Sequence, residues 1–237
     1  MWIKICGITS LEDAKFAVDA GADAVGFVFA ASPRRVTPQI VREITRALPA
    51  NVEKIGVFVD ASADEIVATV EAAGLTGVQL HREYLDSEVS NMRDRLRKST
   101  ESLRMVHVVP YDGDAADFAR RLQSLAALPV SDDHPTVVLV DTRVGDKVGG
   151  TGIPFDWGAA QDTFHRHAAN LRLIAAGGLH PKNVRHAIQM LRPWGVDVSS
   201  GVEAAPGRKD HALVTEFIRA ARAAAMEFSE TVQPLER

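Results

Sequence analysis

Cysteine, net positive charge and long apolar runs are all scarce in this chain. Cys6 is the only cysteine among 237 residues, so no disulfide can form within the chain, as is usual for proteins of a reducing cytoplasm. The formal net charge is −4, which argues against nucleic acid or an anionic membrane as a general partner. No apolar run reaches the roughly 18 residues of a membrane span, and no signal peptide pattern opens the chain. We therefore expect a cytoplasmic protein that binds neither nucleic acid nor membrane.

What the chain does have is a regular alternation of short Val- and Ile-rich runs with longer helical patterns. The runs are continuous in hydrophobicity, as expected for strands buried on both faces of a parallel sheet. We predict strands at Trp2–Cys6, Ala24–Phe29, Lys54–Val59, Gly77–Leu80, Arg104–Val109, Thr136–Val140, Leu171–Ala176 and Gly195–Val198. Eight strand–helix units without a break in composition predict an α/β fold, a single-domain (β/α)8 TIM barrel with eight parallel strands.

Start and stop signals support several of the intervening helices. Ser62–Glu65 is a capping-box pattern, Pro38 stands at a first helical position, and Gly74 follows a helical pattern as a stop signal. We predict helices at Leu11–Ala20, Pro38–Leu48, Ala63–Ala73, Leu85–Lys98, Asp114–Ala127, Asp156–Ala168, Pro181–Leu191 and Lys209–Met226. The barrel domain then spans residues 1–226, and Glu227–Arg237 is interpreted as a C-terminal tail.

Polar and reactive residues collect where the predicted strands end, which is the rim that carries the active site in barrels of this kind. Cys6 stands where the first strand stops, because Gly7 and a helix start signal follow it. The later strand ends carry Ser32–Arg35, Asp60, Gln79, His81, Asp141–Arg143, Gly177, Gly178, Asp197 and Ser199–Gly201. The loops of the opposite rim are bland. This asymmetry favours an enzyme over a scaffold.

Several of these groups point to a particular chemistry. Asp141 ends an apolar strand, where partial desolvation raises the pKa of a carboxyl and suits it to general-acid work, although it can equally cap the following turn. The last two loops offer glycines and hydroxyls where barrels often bind phosphate, although a Gly-Gly pair is also common in tight turns. Either Arg34 or Arg35 can hold a carboxylate or phosphate through its guanidinium fork. The glycine-rich segment Gly149–Gly152 is able to close over a ligand. No metal site stands out.

Taken together, several longer blocks resemble the phosphoribosylanthranilate isomerases of tryptophan biosynthesis. The blocks are Lys4–Thr9, Gly21–Phe29, Val78–His81, Val140–Thr142, Gly149–Gly152 with Phe155–Trp157, and Val196–Glu203. The resemblance implies a (β/α)8 barrel that needs no cofactor and acts on a small phosphoribosyl substrate as a monomer or homodimer. The implied reaction is the Amadori rearrangement of N-(5-phosphoribosyl)anthranilate to 1-(2-carboxyphenylamino)-1-deoxyribulose 5-phosphate.

The resemblance also implies roles for individual residues. Cys6 matches the general base and Asp141 the general acid, while Arg34 matches the arginine that holds the anthranilate carboxylate. Further substrate-binding positions are Gln79, His81 and Asp197, and the phosphate-binding positions are Gly177, Gly178, Ser199, Ser200 and Gly201. Two residues depart from the family pattern. Arg35 replaces a common aromatic, which leaves the choice between Arg34 and Arg35 open, and Arg82 replaces a usual Gly in the fourth loop.

Two other functions are compatible with the same rim. Another phosphosugar barrel, such as an epimerase or a bifunctional isomerase, is favoured if a residue other than Cys6 is the base or if a metal is required. A barrel that binds a phosphosugar without turnover is the second alternative. The presence of both Cys6 and Asp141 argues against that second reading.

Overall fold

Eight parallel strands pair in sequence, and the last strand pairs with the first. The computed structural model describes residues 1–81, 86–96, 103–127, 136–144, 147–148, 157–167 and 171–231. Its barrel strands are β1 (Trp2–Ile5), β2 (Ala24–Val28), β3 (Glu53–Phe58), β4 (Gly77–Leu80), β5 (Arg104–Tyr111), β6 (Val137–Val144), β7 (Arg172–Ala175) and β8 (Gly195–Val198). Each strand pairs in parallel with its neighbours, and β8 pairs with β1 to close the ring. The prediction of a TIM barrel with eight parallel strands is confirmed.

Helices connect the strands and cover the barrel from outside. They are α1 (Leu11–Asp19), α2 (Pro38–Arg46), α3 (Ala63–Ala73), α4 (Asp86–Leu96), α5 (Ala115–Ala126), α6 (Trp157–His167), α7 (Val184–Leu191) and α8 (His211–Thr231). The capping box of α3 forms as predicted, with Ser62 and Glu65 bonding each other's backbone N–H groups, and α3 ends at Gly74 with φ of +67°. In the described part of the chain, no helix is both long and apolar enough to cross a membrane.

The last helix is longer than the sequence pattern predicts. We expect its end at Met226, but α8 continues to Thr231. No Gly or Pro interrupts this stretch, and Glu227 of α8 pairs with Arg185 of α7 at 2.7 Å. Residues 232–237 of the predicted tail lie outside the described residues, so the division between domain and tail stays a prediction.

Strands β5 and β6 also extend beyond their predicted ends at Val109 and Val140. Their ladder continues past the barrel, with Pro110 opposite Asp141 and Tyr111 opposite Thr142. Strand β6 then pairs antiparallel with the short strand Lys147–Val148. A second small hairpin follows β8, formed by Glu203–Ala205 and Arg208–Lys209. Two short β-ribbons are therefore present beyond the barrel strands, at the rim that carries the predicted site.

Side-chain alternation along β1 separates two layers of the molecule. Ile3 and Ile5 point outward into the apolar layer between strands and helices, whereas Trp2 belongs to a smaller cluster inside the barrel. Lys4 and Cys6 share the inward parity of Trp2, and both lie against Gly26 of the neighbouring strand. This alternation is the local reason why one strand contributes both to the core and to the site.

Candidate active site

A cavity of about 390 Å³ opens at the carboxyl ends of the barrel strands. The structure brings together ten of the eleven predicted site residues around it: Cys6, Arg34, Gln79, His81, Asp141, Gly177, Gly178, Asp197, Ser199 and Ser200. The remaining one, Gly201, lies directly behind the wall. A Cβ at Gly201 would stand 1.8 Å from the carbonyl oxygen of Leu179, so only glycine lets the loops after β7 and β8 pack this closely.

Cys6 is held at the floor of this cavity by close backbone packing. Its N–H donates to the carbonyl of Val198 on β8 at 2.8 Å, and only 7% of the residue is exposed. The following residue, Gly7, adopts φ of +77°, a conformation that favours glycine. A Cβ at Gly7 would also stand 2.7 Å from Arg34 Cδ and 2.9 Å from Ser199 Oγ. The turn after β1 therefore brings the thiol, the arginine and the last loop into one place.

Beneath Cys6 lies a lysine that is completely buried in the barrel interior. Lys4 Nζ donates to Asp197 Oδ1 and to Gln79 Oε1, each at 2.9 Å. The ladder between β1 and β8 sets this contact, because Lys4 and Asp197 are direct register partners. Gln79 Nε2 lies 3.0 Å from His81 Nε2, which extends the polar chain toward the rim. Burial lowers the pKa of Lys4, but the negative charges of Asp197 and Cys6 outweigh it and hold that pKa above its ordinary value.

The charge state of Cys6 is set by opposing influences. Burial raises the pKa of the thiol above its ordinary value, the Lys4 ammonium works in the opposite direction, and Asp197 adds to the rise. The net effect is a pKa above the ordinary value, which favours the neutral thiol. A thiol with a raised pKa needs a nearby positive charge to act as a base near neutral pH.

Asp141 enters the cavity from the side of β6. It lies on the part of β6 that extends beyond the barrel and stands opposite Pro110 of β5. Its side chain is half-buried and lines the same cavity as Cys6. The extension of the β5–β6 ladder, rather than a turn after a short strand, is what positions this carboxyl.

An arginine–glutamate–lysine cluster holds the side of the cavity nearest the hairpin after β8. Arg34 Nε and Nη2 donate to the two oxygens of Glu203 at 2.8 and 2.6 Å. Lys209 Nζ donates to Glu203 Oε1 at 2.9 Å and to the carbonyl of Ser199 at 3.1 Å. Burial opposes the charge on Glu203, but the hydrogen bond from Arg34 and the charge of Lys209 lower the pKa of Glu203 below its usual range. The carboxylate is thus fixed in its ionised form.

The structure separates the two arginines that the sequence leaves as alternatives. Arg34 lines the cavity with Cys6 and Asp141. Arg35 is exposed and lines a neighbouring groove with Phe29, Phe58 and Glu65. Two of the five N–H donors of Arg34 bind Glu203, which leaves up to three for a ligand.

Two features that the sequence singled out lie outside the described residues. These are the glycine-rich segment Gly149–Gly152 and Arg82 of the fourth loop. Within the described ranges, no group of three or more His, Cys, Asp or Glu side chains is arranged to hold a metal ion.

Three residues around the cavity are not predicted from the sequence as individual functional groups: Lys4, Glu203 and Lys209. The sequence does contain a signal for Lys4. This lysine lies within an apolar strand, two residues before Cys6, so the two side chains point to the same face of the sheet. Glu203 and Lys209 carry no comparable local signal. Their importance comes from a contact with Arg34, which lies 169 residues from Glu203 along the chain.

Comparison with known proteins identifies the family of the chain. Residues 3–220 match the family model described as N-(5'-phosphoribosyl)anthranilate (PRA) isomerase. The chain belongs to the phosphoribosylanthranilate isomerase family. A family member from Thermotoga neapolitana is 42% identical over 224 residues, which are 93% of this chain and 98% of that protein. Another, from Rubrobacter xylanophilus, is 42% identical over 221 residues, or 93% and 98% of the two chains.

Solved structures of the family share the fold over nearly the whole chain. Phosphoribosyl anthranilate isomerase from Thermotoga maritima is similar with a TM-score of 0.80 and 37% identity, covering 94% of this chain and 99% of that one. A phosphoribosyl anthranilate isomerase in complex with reduced 1-(o-carboxyphenylamino)-1-deoxyribulose 5-phosphate gives a TM-score of 0.77 at 36% identity, with the same coverage of both chains. The predicted family membership is confirmed.

Proposed function

We propose that this protein is a cofactor-independent isomerase of tryptophan biosynthesis. Its reaction is the Amadori rearrangement of N-(5-phosphoribosyl)anthranilate to 1-(2-carboxyphenylamino)-1-deoxy-D-ribulose 5-phosphate. The observation that carries the proposal is that Cys6, Asp141, Arg34 and the two late loops all line one cavity. This cavity offers an acid, a base and two sets of anion-binding groups, which match the groups of that substrate.

Two sets of anion-binding groups in the cavity orient the substrate. Gly177 and Gly178 both have positive φ, at +81° and +64°, and the absence of side chains leaves their peptide N–H groups open to an anion. With Ser199, Ser200 and Gly201 they form the proposed phosphate site. The remaining N–H donors of Arg34 bind the anthranilate carboxylate as a charge-assisted pair.

Ring opening is the first chemical step and needs an acid. Asp141 in its protonated form donates a proton to the furanose ring oxygen, and the C1′–O bond breaks with its electron pair going to that oxygen. The anilino nitrogen supplies its lone pair to C1′, which gives an iminium ion. A carboxyl group suits this role because it can give a proton to the ring oxygen and take one back later in the reaction.

Proton removal from C2′ is the second step and needs a base. The iminium acidifies the C2′–H bond, and the Cys6 thiolate takes that proton while the C–H electrons form the C1′=C2′ bond of an enolamine. The enolamine then gives its C2′ hydroxyl proton to the Asp141 carboxylate and takes a proton at C1′ from the Cys6 thiol, which yields the ketone and restores both residues. Besides the rearrangement of bonds within the substrate, every step is a proton transfer, so the residues of this chain suffice for the sequence.

The fluorescence of the anthranilate group tests the proposal directly. We expect the purified protein to consume phosphoribosylanthranilate in the presence of EDTA. We expect Cys6→Ser and Asp141→Asn each to lower kcat by about 10²–10⁴-fold, and Arg34→Ala chiefly to raise KM. Full activity of Cys6→Ala would contradict the mechanism, and activity that disappears in EDTA would favour a metal-dependent phosphosugar enzyme instead.

We further expect the protein to act in the cytoplasm, on its small phosphoribosyl substrate alone, as a monomer or homodimer. A relative from Thermotoga maritima is described as dimeric and has been converted to monomers. Light scattering on the purified protein distinguishes the two states for this chain.

A further inference from the structure

Lys4 is the least expected residue in the barrel interior. It exposes none of its surface, although an ammonium group is among the groups most costly to remove from water. Its two hydrogen-bond partners come from different strands, Asp197 on β8 and Gln79 on β4. A buried ion pair of this kind seldom adds stability beyond what apolar side chains of the same volume supply. The stability of the barrel alone therefore gives no reason for a lysine here.

The geometry around Gly26 shows what the ammonium group is near. A Cβ at Gly26 would stand 2.8 Å from Cys6 Sγ and 2.9 Å from Lys4 Cε, so both side chains occupy the space that this glycine leaves open. A lysine has three N–H donors, and two of those on Lys4 are used by Asp197 and Gln79. The third is used by neither of these partners, and Lys4 Cε, which carries the ammonium group, lies beside Cys6 Sγ in the space over Gly26.

We propose that Lys4 is a positioning residue for Cys6, whose ammonium group donates a hydrogen bond to Sγ and balances the charge of the thiolate during proton abstraction. Asp197 and Gln79 hold the ammonium in place, and the register of β1 against β8 fixes their alignment. The proposal rests on the proposed function only in taking Cys6 as the base. It explains how a buried thiol becomes reactive without exposure to water.

Other charged groups also face Cys6, but each has a reason to matter less. On the positive side, Lys209 and Arg34 share the carboxylate of Glu203, which offsets their charge. On the negative side, Asp197 disfavours the thiolate but is itself paired with Lys4. Asp141 and His81 line the same cavity from β6 and the end of β4. Among the positive charges, Lys4 has the largest influence on the thiol.

The single cysteine makes the test unambiguous, because every alkylated thiol is Cys6. The rate of reaction with iodoacetamide is measured against pH in the wild type and in Lys4→Met, without substrate. Removal of an adjacent positive charge raises the pKa of a thiol. We expect alkylation of Lys4→Met to be at least about tenfold slower at neutral pH, with the midpoint of its pH profile displaced to higher pH. We expect kcat to follow the same displacement.

Lys54→Met is the matched control. Lys54 is also buried, with 5% of its surface exposed, but its ammonium bonds the carbonyl of Pro49 at the opposite end of the barrel, at 2.6 Å. We expect this variant to lose stability without displacing the alkylation profile of Cys6. An equal displacement in Lys54→Met would show that the Lys4 effect is a general loss of packing and would overturn the proposal.

A double variant covers the case in which Lys4→Met leaves Asp197 buried without its partner and does not fold. Lys4→Met/Asp197→Asn removes both charges, and we expect its profile to be displaced to higher pH, by less than in the single variant. An undisplaced profile in whichever of the two variants folds would overturn the proposal. Because alkylation needs no turnover, such a result is distinguishable from failure of the proposed function, which appears as a wild type without isomerase activity.

Discussion

At its amino end the barrel is plugged by stacked aromatic rings, whereas at its carboxyl end it holds a polar cavity above a buried lysine. Trp2 and Trp194 stack with ring centroids 5.3 Å apart. The guanidinium groups of Arg104 and Arg172 lie over Trp194 at 5.3 and 5.1 Å. Around the opposite opening, Lys4, Asp197 and Lys209 are all buried. Charged groups thus lie at both ends of the barrel, but in different surroundings.

The difference is one of solvation. Arg104 and Glu53 pair at 2.6 Å with each side chain 23% exposed, so water still shares in their solvation and the pair contributes about 0–1 kcal/mol. Lys4 and Asp197 pair with side chains only 1% and 10% exposed. A buried pair is worth little to stability as a unit, yet the loss of one partner is strongly destabilising. The amino end is therefore arranged for stability and the carboxyl end for chemistry.

The largest expected effect is a loss of stability when the aromatic residues at the amino end of the barrel are mutated. Trp2→Ala removes the ring that stacks on Trp194 and leaves a cavity inside the barrel, so we expect the free energy of unfolding to fall by about 3–5 kcal/mol. Urea unfolding measures this change, and Arg104→Gln, which only weakens a partly solvated pair, should change it by about 1 kcal/mol or less. The folded fraction of Trp2→Ala should keep the wild-type KM. A raised KM would show that the aromatic end shapes the cavity.

A smaller effect is expected from mutation of Glu203, which orients Arg34 at the carboxyl end of the barrel. Glu203→Gln keeps the volume of the side chain but removes the charge that fixes Arg34 and Lys209. Because Arg34 then loses its bidentate partner, we expect KM to rise by about tenfold, as for the loss of one charge-assisted contact. Steady-state kinetics by anthranilate fluorescence test this. An unchanged KM would mean that Arg34 is held by packing against Gly7 alone.

The smallest effect concerns stability at alkaline pH. Burial raises the pKa of Cys6 in the folded chain, so the unfolded chain releases this proton at a lower pH than the folded chain. The stability linked to Cys6 is therefore complete below the ordinary thiol pKa of about 8.5 and is lost as pH rises above it.

Comparison with Cys6→Ser isolates this linkage. Between about pH 8 and 10 the wild type should lose stability relative to Cys6→Ser, by at most about 1.4 kcal/mol per pH unit. Thermal unfolding of both proteins across this window measures the difference. Parallel curves would mean that the thiol has the same pKa in the folded and unfolded chains, and a gain in stability of the wild type would mean that Lys4 holds the sulfur as a thiolate.

Much of the architecture follows from local patterns. The eight apolar runs, the capping box at Ser62 and the stop at Gly74 are local signals, and the structure realises each of them. The errors lie where distant segments meet. Strands β5 and β6 continue because they pair with each other beyond the barrel, and α8 continues past Met226 to Thr231, with Glu227 in contact with Arg185 on α7.

The candidate site divides in the same way. Cys6, Asp141 and the glycines of the late loops are recognisable because strand ends in a barrel share one rim. Which of Arg34 and Arg35 lines the cavity with Cys6 depends on the tertiary structure, and so does the contact of Lys4 with Asp197, which the register of β1 against β8 sets. Such pairings depend on how strands align in space, which no short window of sequence contains.

The sequence by itself determined the order of elements, the rim on which chemistry collects and the family resemblance, because hydrophobic period and turn residues act over a few positions. Only the tertiary structure decided the electrostatics of the site. Ring closure places Asp197, which is 193 residues from Lys4 along the chain, at 2.9 Å from its ammonium group. Desolvation inside the closed barrel then makes that pair, and the cysteine above it, strongly dependent on each other.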